Sequence, residues 1–265
     1  MIGKQLVLPL QKVIESNLLS RAKWKPASIW EARIVALIAS KIQYDDEDFY
    51  SYKISLSELG VDKKLSGFQY EEIKKSLLRL KKAEIYIQGQ GRDFIAYSIF
   101  SKVGYQNGEL LAEFHPDLKP HYLQLKSHFT QYQLLELLIL PSTYSQVIFR
   151  YLMSWKSCSE NIINLIELYE LLNVPETLRK YTDFKRFVLD KAHRDINEKT
   201  SLNYEWEPLK TKNKVTALRF IFSKGKQNKI TNKRTKELTD KFIQDQARPG
   251  ETWDEARARL SNKNN

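Results

Sequence analysis

The chain has 265 residues, with 42% apolar and 12% aromatic content, so it has the length of two folded domains and the composition of neither a disordered nor a fibrous protein. Forty-three Lys and Arg face 32 Asp and Glu, a formal charge of +11, which points to a polyanionic partner. The single cysteine, Cys158, excludes an intramolecular disulfide, fits a reducing cytoplasm, and lacks a His–Asp context for nucleophilic chemistry.

Residues 1–27 read as an irregular arm. Lys4, Lys12 and Glu15 interrupt its apolar residues, so it has no secretory-leader pattern. Ser28 with Glu31 at the third helical position forms a capping-box pattern, and the spacing predicts a helix from Ile29 to about Tyr44. The acidic turn Asp45–Asp48 reads as a solvated loop. A short strand over Phe49–Ile54 and a short helix over Leu56–Gly60 come next, with Gly60 as its C-cap. The next helix spans Gln69–Ala83. It turns Ile73, Leu77 and Leu80 inward and leaves Lys74, Lys75, Arg79, Lys81 and Lys82 outward or flanking. Strands are expected over Glu84–Gln88, Phe94–Val103 and Glu109–Phe114, the last two joined through the hairpin signal Asn107-Gly108.

Residues 116–140 form a transition, with a short helical stretch after Pro116 and a strand over Phe129–Leu135. The apolar run Leu134–Leu140 contains Glu136 and is far too short to span a membrane; it reads as core or as an inter-domain switch. Pro141-Ser-Thr opens a helix over Tyr144–Trp155. Ile162-Ile163 reads as a short strand, and Leu165–Leu172 as a helix stopped at Asn173-Val174-Pro175.

The stretch Arg179–Thr200 is the strongest amphipathic pattern. Phe184, Val188, Leu189, Ala192 and Ile196 share its core side, while Thr182, Arg186, Asp190, His193, Arg194 and Asn197 fall opposite. Thr182 suits an N-cap, with Asp183 in the first turn where the helix dipole favours an anion. Two β-like runs, Leu202–Glu207 and Val215–Phe222, come after it, joined by a segment rich in lysine. A helix and then a basic hairpin outline a winged helix. From Pro208 to Lys236 there are ten basic residues and no acidic one, a charge run suited to phosphates.

The two halves repeat. Glu58-Leu-Gly-Val61 followed by Tyr70 and Ile73-Lys-Lys matches Leu171-Leu-Asn-Val174 followed by Tyr181 and Phe184-Lys-Arg, in the same order of elements. The expected fold class is therefore α+β: two tandem winged-helix domains related by internal duplication, with a basic flexible C-terminal tail. The expected boundaries are an arm over 1–27, domain 1 over 28–130, domain 2 over 131–225 and the tail over 226–265. Two such helices can enter successive major grooves about one helical turn apart.

Arg186 is the first choice for reading a base, since a guanidinium pairs bidentately with guanine; an Arg186–Asp190 surface pair is the alternative. Thr182, Asp183, Asp190, His193 and Arg194 are further candidates. Lys180, Lys185, Lys210, Lys212 and Lys214 in the second half, and Lys74, Lys75, Arg79, Lys81 and Lys82 in the first, suit the phosphate backbone. Four histidines form no metal-ligand pattern, and no GxxxxGK[ST] loop is present. No cofactor, metal site or bond chemistry is expected. A metal-dependent replication nickase is the enzymatic alternative.

Several segments resemble the plasmid replication initiator (Rep) family of iteron-binding proteins. They are Asn17-Leu-Leu, Glu31-x-Arg33, Ile54–Leu59, Ser142-x-Tyr144-Ser-x-x-Ile148-Phe-Arg-Tyr151, Glu167–Val174, and Asp183-Phe-Lys-Arg186-x-Val188-Leu-x-x-Ala192-x-x-Asp195-Ile-Asn197. Asp195 departs from the family's usual Glu. The tail Ala247–Leu260 is similar to that of some members. The resemblance covers about residues 15–225. It implies a cytoplasmic initiator whose second domain binds repeated origin DNA and whose first adds DNA contacts and a dimer interface. Monomers would activate replication with host initiator and helicase, without a membrane partner. Dimers would bind an operator inverted repeat and repress the initiator's own gene. A dedicated winged-helix transcriptional repressor is the alternative.

Overall fold

The computed structural model describes residues 11–24, 26–59, 66–89 and 93–222. Chain order begins with β1 (Lys12–Ser16), α1 (Asn17–Ser20), α2 (Ile29–Ala39) and β2 (Tyr52–Ser55). Then come α3 (Gly67–Lys82), β3 (Glu84–Gln88), β4 (Phe94–Ser98), β5 (Phe100–Gln106), β6 (Glu109–Phe114) and α4 (Lys119–Tyr122). The second half continues with β7 (Phe129–Gln133), α5 (Leu134–Leu138), α6 (Thr143–Met153), β8 (Glu160–Asn164) and α7 (Leu165–Leu171). It closes with α8 (Tyr181–Phe184), a π turn over Lys185–Leu189, α9 (Asp190–Lys199), β9 (Tyr204–Thr211) and β10 (Lys214–Phe222).

The repeat in sequence is a repeat in topology. In the first half an 11-residue helix (α2) precedes a strand, a 3-10 turn at Leu56–Leu59, the long helix α3 and a hairpin, and the sheet order is β2-β6-β5. In the second, an 11-residue helix (α6) precedes β8, α7, the α8–α9 helix and a hairpin, in the order β8-β10-β9. Each hairpin's second strand therefore lies in the middle, antiparallel to both neighbours. These are two winged helices. The first carries an additional hairpin, β3–β4, between its long helix and its wing.

Local chemistry explains the boundaries. Ser66 caps α3: its Oγ accepts from the Gln69 N–H while the Gln69 side chain accepts from the Ser66 N–H, a full capping box. Asn107 and Gly108 sit at φ 51° and 83°, the left-handed pair that a two-residue turn between β5 and β6 requires. Asn173, at φ 49°, turns the chain after α7. The α2 helix is buried on nearly every side, with Ala32, Ile34, Val35, Ala36, Leu37, Ile38 and Ala39 all in the core. It packs against both α3 of its own domain and α6 of the next, which is why its sequence is apolar all round.

Several expectations are corrected. The helix from Ile29 ends at Ala39, not Tyr44. Its expected capping box is not formed, because the Ser28 hydroxyl pairs with Ser76 and Glu31 accepts from the Ala27 N–H. The expected strand over Phe94–Val103 is two strands: at buried Ile99 the chain leaves the β3–β4 hairpin and joins the winged sheet. Residues 12–20 are not irregular, since β1 pairs along its whole length with β7 (Lys12↔Gln133 to Ser16↔Phe129). The expected C-cap at Gly60 and the basic tail lie outside the described residues.

The N-terminal segment also ties the two halves together. Glu15, 1% exposed, accepts from Arg150 Nε (3.0 Å) and Nη2 (2.9 and 2.8 Å) and from the Ser20 hydroxyl (2.8 Å). Burial by itself would pull the Arg150 guanidinium below its ordinary pKa, but the Glu15 charge reverses this and holds it above. Arg21 donates to Ser154 Oγ and O and lies 3.5 Å over the Trp155 ring. In the run Leu134–Leu140, Leu134, Leu137, Leu138 and Leu140 are buried, whereas Leu135 and Ile139 stay exposed.

Candidate nucleic-acid interface

The second domain's long helix is anchored from below. Phe184 is fully buried edge-on to Tyr169 at 4.7 Å, with Val188, Leu189, Ala192 and Ile196 beside it in the core. Buried apolar side chains of this size contribute about 1.5–3 kcal/mol each. The helix begins after Lys180, which takes the N-cap position expected of Thr182; Thr182 and Asp183 fall in the first turn.

The helix is not uniformly α. Asp190 N–H donates to the Lys185 carbonyl, five residues back, so one π turn is inserted over Lys185–Leu189. The extra residue rotates the rest of the helix about its axis. The outward face runs through Arg186, Phe187, Asp190, Lys191 and Arg194, which together line an open groove. His193 and Asn197 turn instead toward the hairpin. The Asn197 amide donates to the Tyr204 carbonyl (2.9 Å) and accepts from the Tyr204 N–H (3.1 Å), and His193 Nε2 lies 3.0 Å from the same carbonyl. This pair locks the helix to the start of β9. His193, expected among the base readers, is half-buried in that lock.

The predicted residues separate by their partners. Asp190 pairs with Lys185 (3.1 Å) and not with Arg186, and Lys185 Nζ also sits 5.7 Å above the Trp206 ring. Lys185, expected at the phosphate backbone, is exposed. Among the described residues, Arg186, Lys191 and Arg194 make no ion pair, so three cations on one face are uncompensated. Sequence reasoning misses Phe187 and Lys191. A regular helical wheel already puts both on the side of Arg186, Asp190 and Arg194; Phe187 escapes because an apolar ring does not stand out as a polar reader.

The hairpin tip supplies further charge. β9 and β10 run antiparallel to Thr211↔Lys214, and the turn passes through Lys212 at φ 55°. Lys210, Lys212 and Lys214 are all exposed there. Arg219, part of the basic run in sequence, belongs to a different surface: on the outer face of the sheet it reaches Glu207 (2.8 Å) and Glu160 (3.6 Å). The basic character thus concentrates on the helix face and wing tip.

The first domain divides likewise. Arg79 is engaged by Glu31 (2.5 Å), Glu72 (3.0 Å) and Ser76, and the Glu31 bond holds its pKa above the ordinary value. It braces α3 against α2 rather than presenting a free charge. Lys75, Lys81 and Lys82 are exposed. Lys74 is half-buried, 4.6 Å over the Tyr70 ring and 3.6 Å from Glu71. Lys180 is exposed at the start of the second-domain helix. No group of His, Cys, Asp and Glu suited to a metal occurs among the described residues, where no helix is long and apolar enough to cross a membrane.

A family model described as "Initiator Replication protein, WH1" matches residues 12–153, and one described as "Initiator Rep protein, WH2" matches residues 164–222. Among solved structures, the crystal structure of Pi initiator protein in complex with iteron DNA is similar at a TM-score of 0.66 and 20% identity, covering 83% of this chain and 100% of that one. A crystal structure of RctB domains 2–3 aligns at a TM-score of 0.42 and 13% identity, over 74% of this chain and 82% of that one. No curated protein sequence matches the chain.

Proposed function

Because the chain belongs to the initiator replication protein family, with its two winged-helix domains, we propose that it is a plasmid replication initiator that binds repeated origin duplex sequence-specifically. The observation that carries this reading is the pairing of an uncompensated cationic helix face (Arg186, Lys191, Arg194) with an exposed lysine wing tip (Lys210, Lys212, Lys214). A helix of this kind enters the major groove while the wing lies on phosphates. Arg186 reads guanine, with Thr182 and Asp183 on the preceding turn and Arg194 about two turns further along the same face. Asp190, held by Lys185, accepts from a cytosine amine or orients its neighbours.

The repeated topology places a second helix, α3, in the same chain. Lys74, Lys75, Lys81 and Lys82 add sequence-independent phosphate contacts from that helix. The similar initiator protein was crystallised with iteron DNA, which supports the same class of target for this chain. Dimers that occupy an inverted repeat and repress the initiator's own gene, monomers that act with host initiator and helicase at the origin, and a cytoplasmic location complete the proposal. The chain itself performs no bond chemistry in this scheme.

The test is binding to duplex fragments from the protein's own replicon. Arg186→Ala is expected to lose about 5- to 150-fold in affinity for the repeated fragment and little elsewhere. Lys212→Ala is expected to weaken binding to all fragments alike and to lower the slope of log affinity against log salt by about 1. Equal binding of every fragment by the wild type and both variants would refute base reading by this helix.

A further inference from the structure

Phe187 stands on the groove face of the second-domain helix, three residues from fully buried Phe184, yet it is 41% exposed. Its ring packs against no other aromatic ring among the described residues. Two cations lie over it: the Arg186 guanidinium at 5.1 Å and the Lys191 ammonium at 5.6 Å. Phe187 lies within the π turn and shares its face with Arg186, Asp190, Lys191 and Arg194. π turns inserted in α-helices concentrate at functional positions. An exposed ring with two cations near it, in a polar, positively charged face, is not explained by the packing of this domain.

The chemistry of the groove floor says what such a ring can recognise. It neither donates nor accepts a conventional hydrogen bond, so it cannot use the donors and acceptors of guanine, cytosine or adenine. The one apolar group presented in the major groove is the thymine C5-methyl. We propose that Phe187 is a specificity-determining residue that reads a thymine methyl beside the guanine read by Arg186. The inference rests on the reading of this helix as the base-reading element. It adds a second rule: the bound sequence carries a thymine next to that guanine. Lys191, over the ring, places a cation toward a flanking phosphate and leaves Arg186 to the guanine.

The experiment uses the full chain. A duplex is selected from a library spanning about two helical turns of random sequence. Each thymine of the selected duplex is then replaced in turn by deoxyuridine, which removes the methyl and leaves every hydrogen-bonding group in place. For the wild type, one replacement is expected to weaken binding about 3- to 5-fold, the effect of one methyl group leaving an apolar contact. Phe187→Ala is expected to be indifferent to that replacement, Phe187→Leu to retain part of the discrimination, and Arg186→Ala to retain it while losing the adjacent guanine preference. If no thymine matters to the wild type, or if Phe187→Ala keeps the same methyl discrimination, the assignment of Phe187 is overturned while base reading by the helix stands. A library that yields no preferred sequence overturns both.

Discussion

The buried ion pair between Glu15 and Arg150 gives the sharpest prediction about stability. Arg150→Met removes all three nitrogen–oxygen contacts at 2.8–3.0 Å and leaves the Glu15 carboxylate, 1% exposed, with only the Ser20 hydroxyl as a hydrogen-bond donor. A buried charge stripped of its partner costs about 3–5 kcal/mol. For a folded unit of this size each kcal/mol moves Tm by about 2–4 °C, so the expected fall is about 6–20 °C. The double variant Glu15→Leu with Arg150→Met removes both charges, and its expected stability lies within about 1 kcal/mol of the wild type or above it. Urea unfolding followed by far-ultraviolet circular dichroism measures all four corners of the cycle, with a coupling of more than about 2 kcal/mol expected. Two single variants that each cost under about 1 kcal/mol and add in the double would refute the view that this pair joins the N-terminal strand to the second domain.

Two further outcomes are expected. Gly108→Ala forces a side chain into φ +83°; since no atom lies within 4 Å of the added methyl, the loss is backbone strain of about 1–2 kcal/mol, read as a lower urea midpoint with an unchanged slope. His121 is buried against Ser16 (2.8 Å to Nδ1) and edge-on to Tyr97, and burial lowers its pKa while nearby Glu15 opposes the shift. A lowered folded value means that the unfolded chain takes up the proton first. The stability His121 contributes is therefore fully present above about pH 6.5 and is lost as the pH falls through the folded value. Thermal melts from pH 8 to 5 are expected to show a decline that is shallower in His121→Asn; parallel curves would exclude this histidine as a source.

The winged-helix pattern is readable in the sequence because its signals are local. Helical spacing exposes the core of α3 and of the α8–α9 helix, Asn107-Gly108 marks one hairpin, and the matching order around Tyr70 and Tyr181 reveals the duplication. The features that escape depend on partners distant in sequence. β1 is five residues long and carries Lys12, Glu15 and Ser16, so nothing nearby marks it as a strand; its partner β7 decides it. The role of Arg79 is set by Glu31, a residue of another helix. The second-domain helix turns His193 and Asn197 toward the Tyr204 backbone, and that contact depends on where β9 lies rather than on the helix's own spacing. Arg219 looks like part of one basic run, and only the strand alternation separates it from the wing tip.

The strand that closes the junction is also the first described element to leave the ribosome. Glu15 is made 135 residues ahead of Arg150, and Asn17 is made 113 residues ahead of Thr130, its hydrogen-bond partner beside the β1–β7 ladder. At about 5–20 residues per second, that early segment waits on the order of 10 s for its partners. Meanwhile β2, α3, β5 and β6 complete the first winged sheet from nearer neighbours. Synthesis therefore sets the order in which partners emerge: a first domain with one open seam, then β7 and α6, which close it, and last the β8–β10 sheet of the second domain. A nascent chain halted between β6 and β7 would display β1 with its pairing edge vacant, a ready site for holding chaperones or for a strand borrowed from another nascent copy.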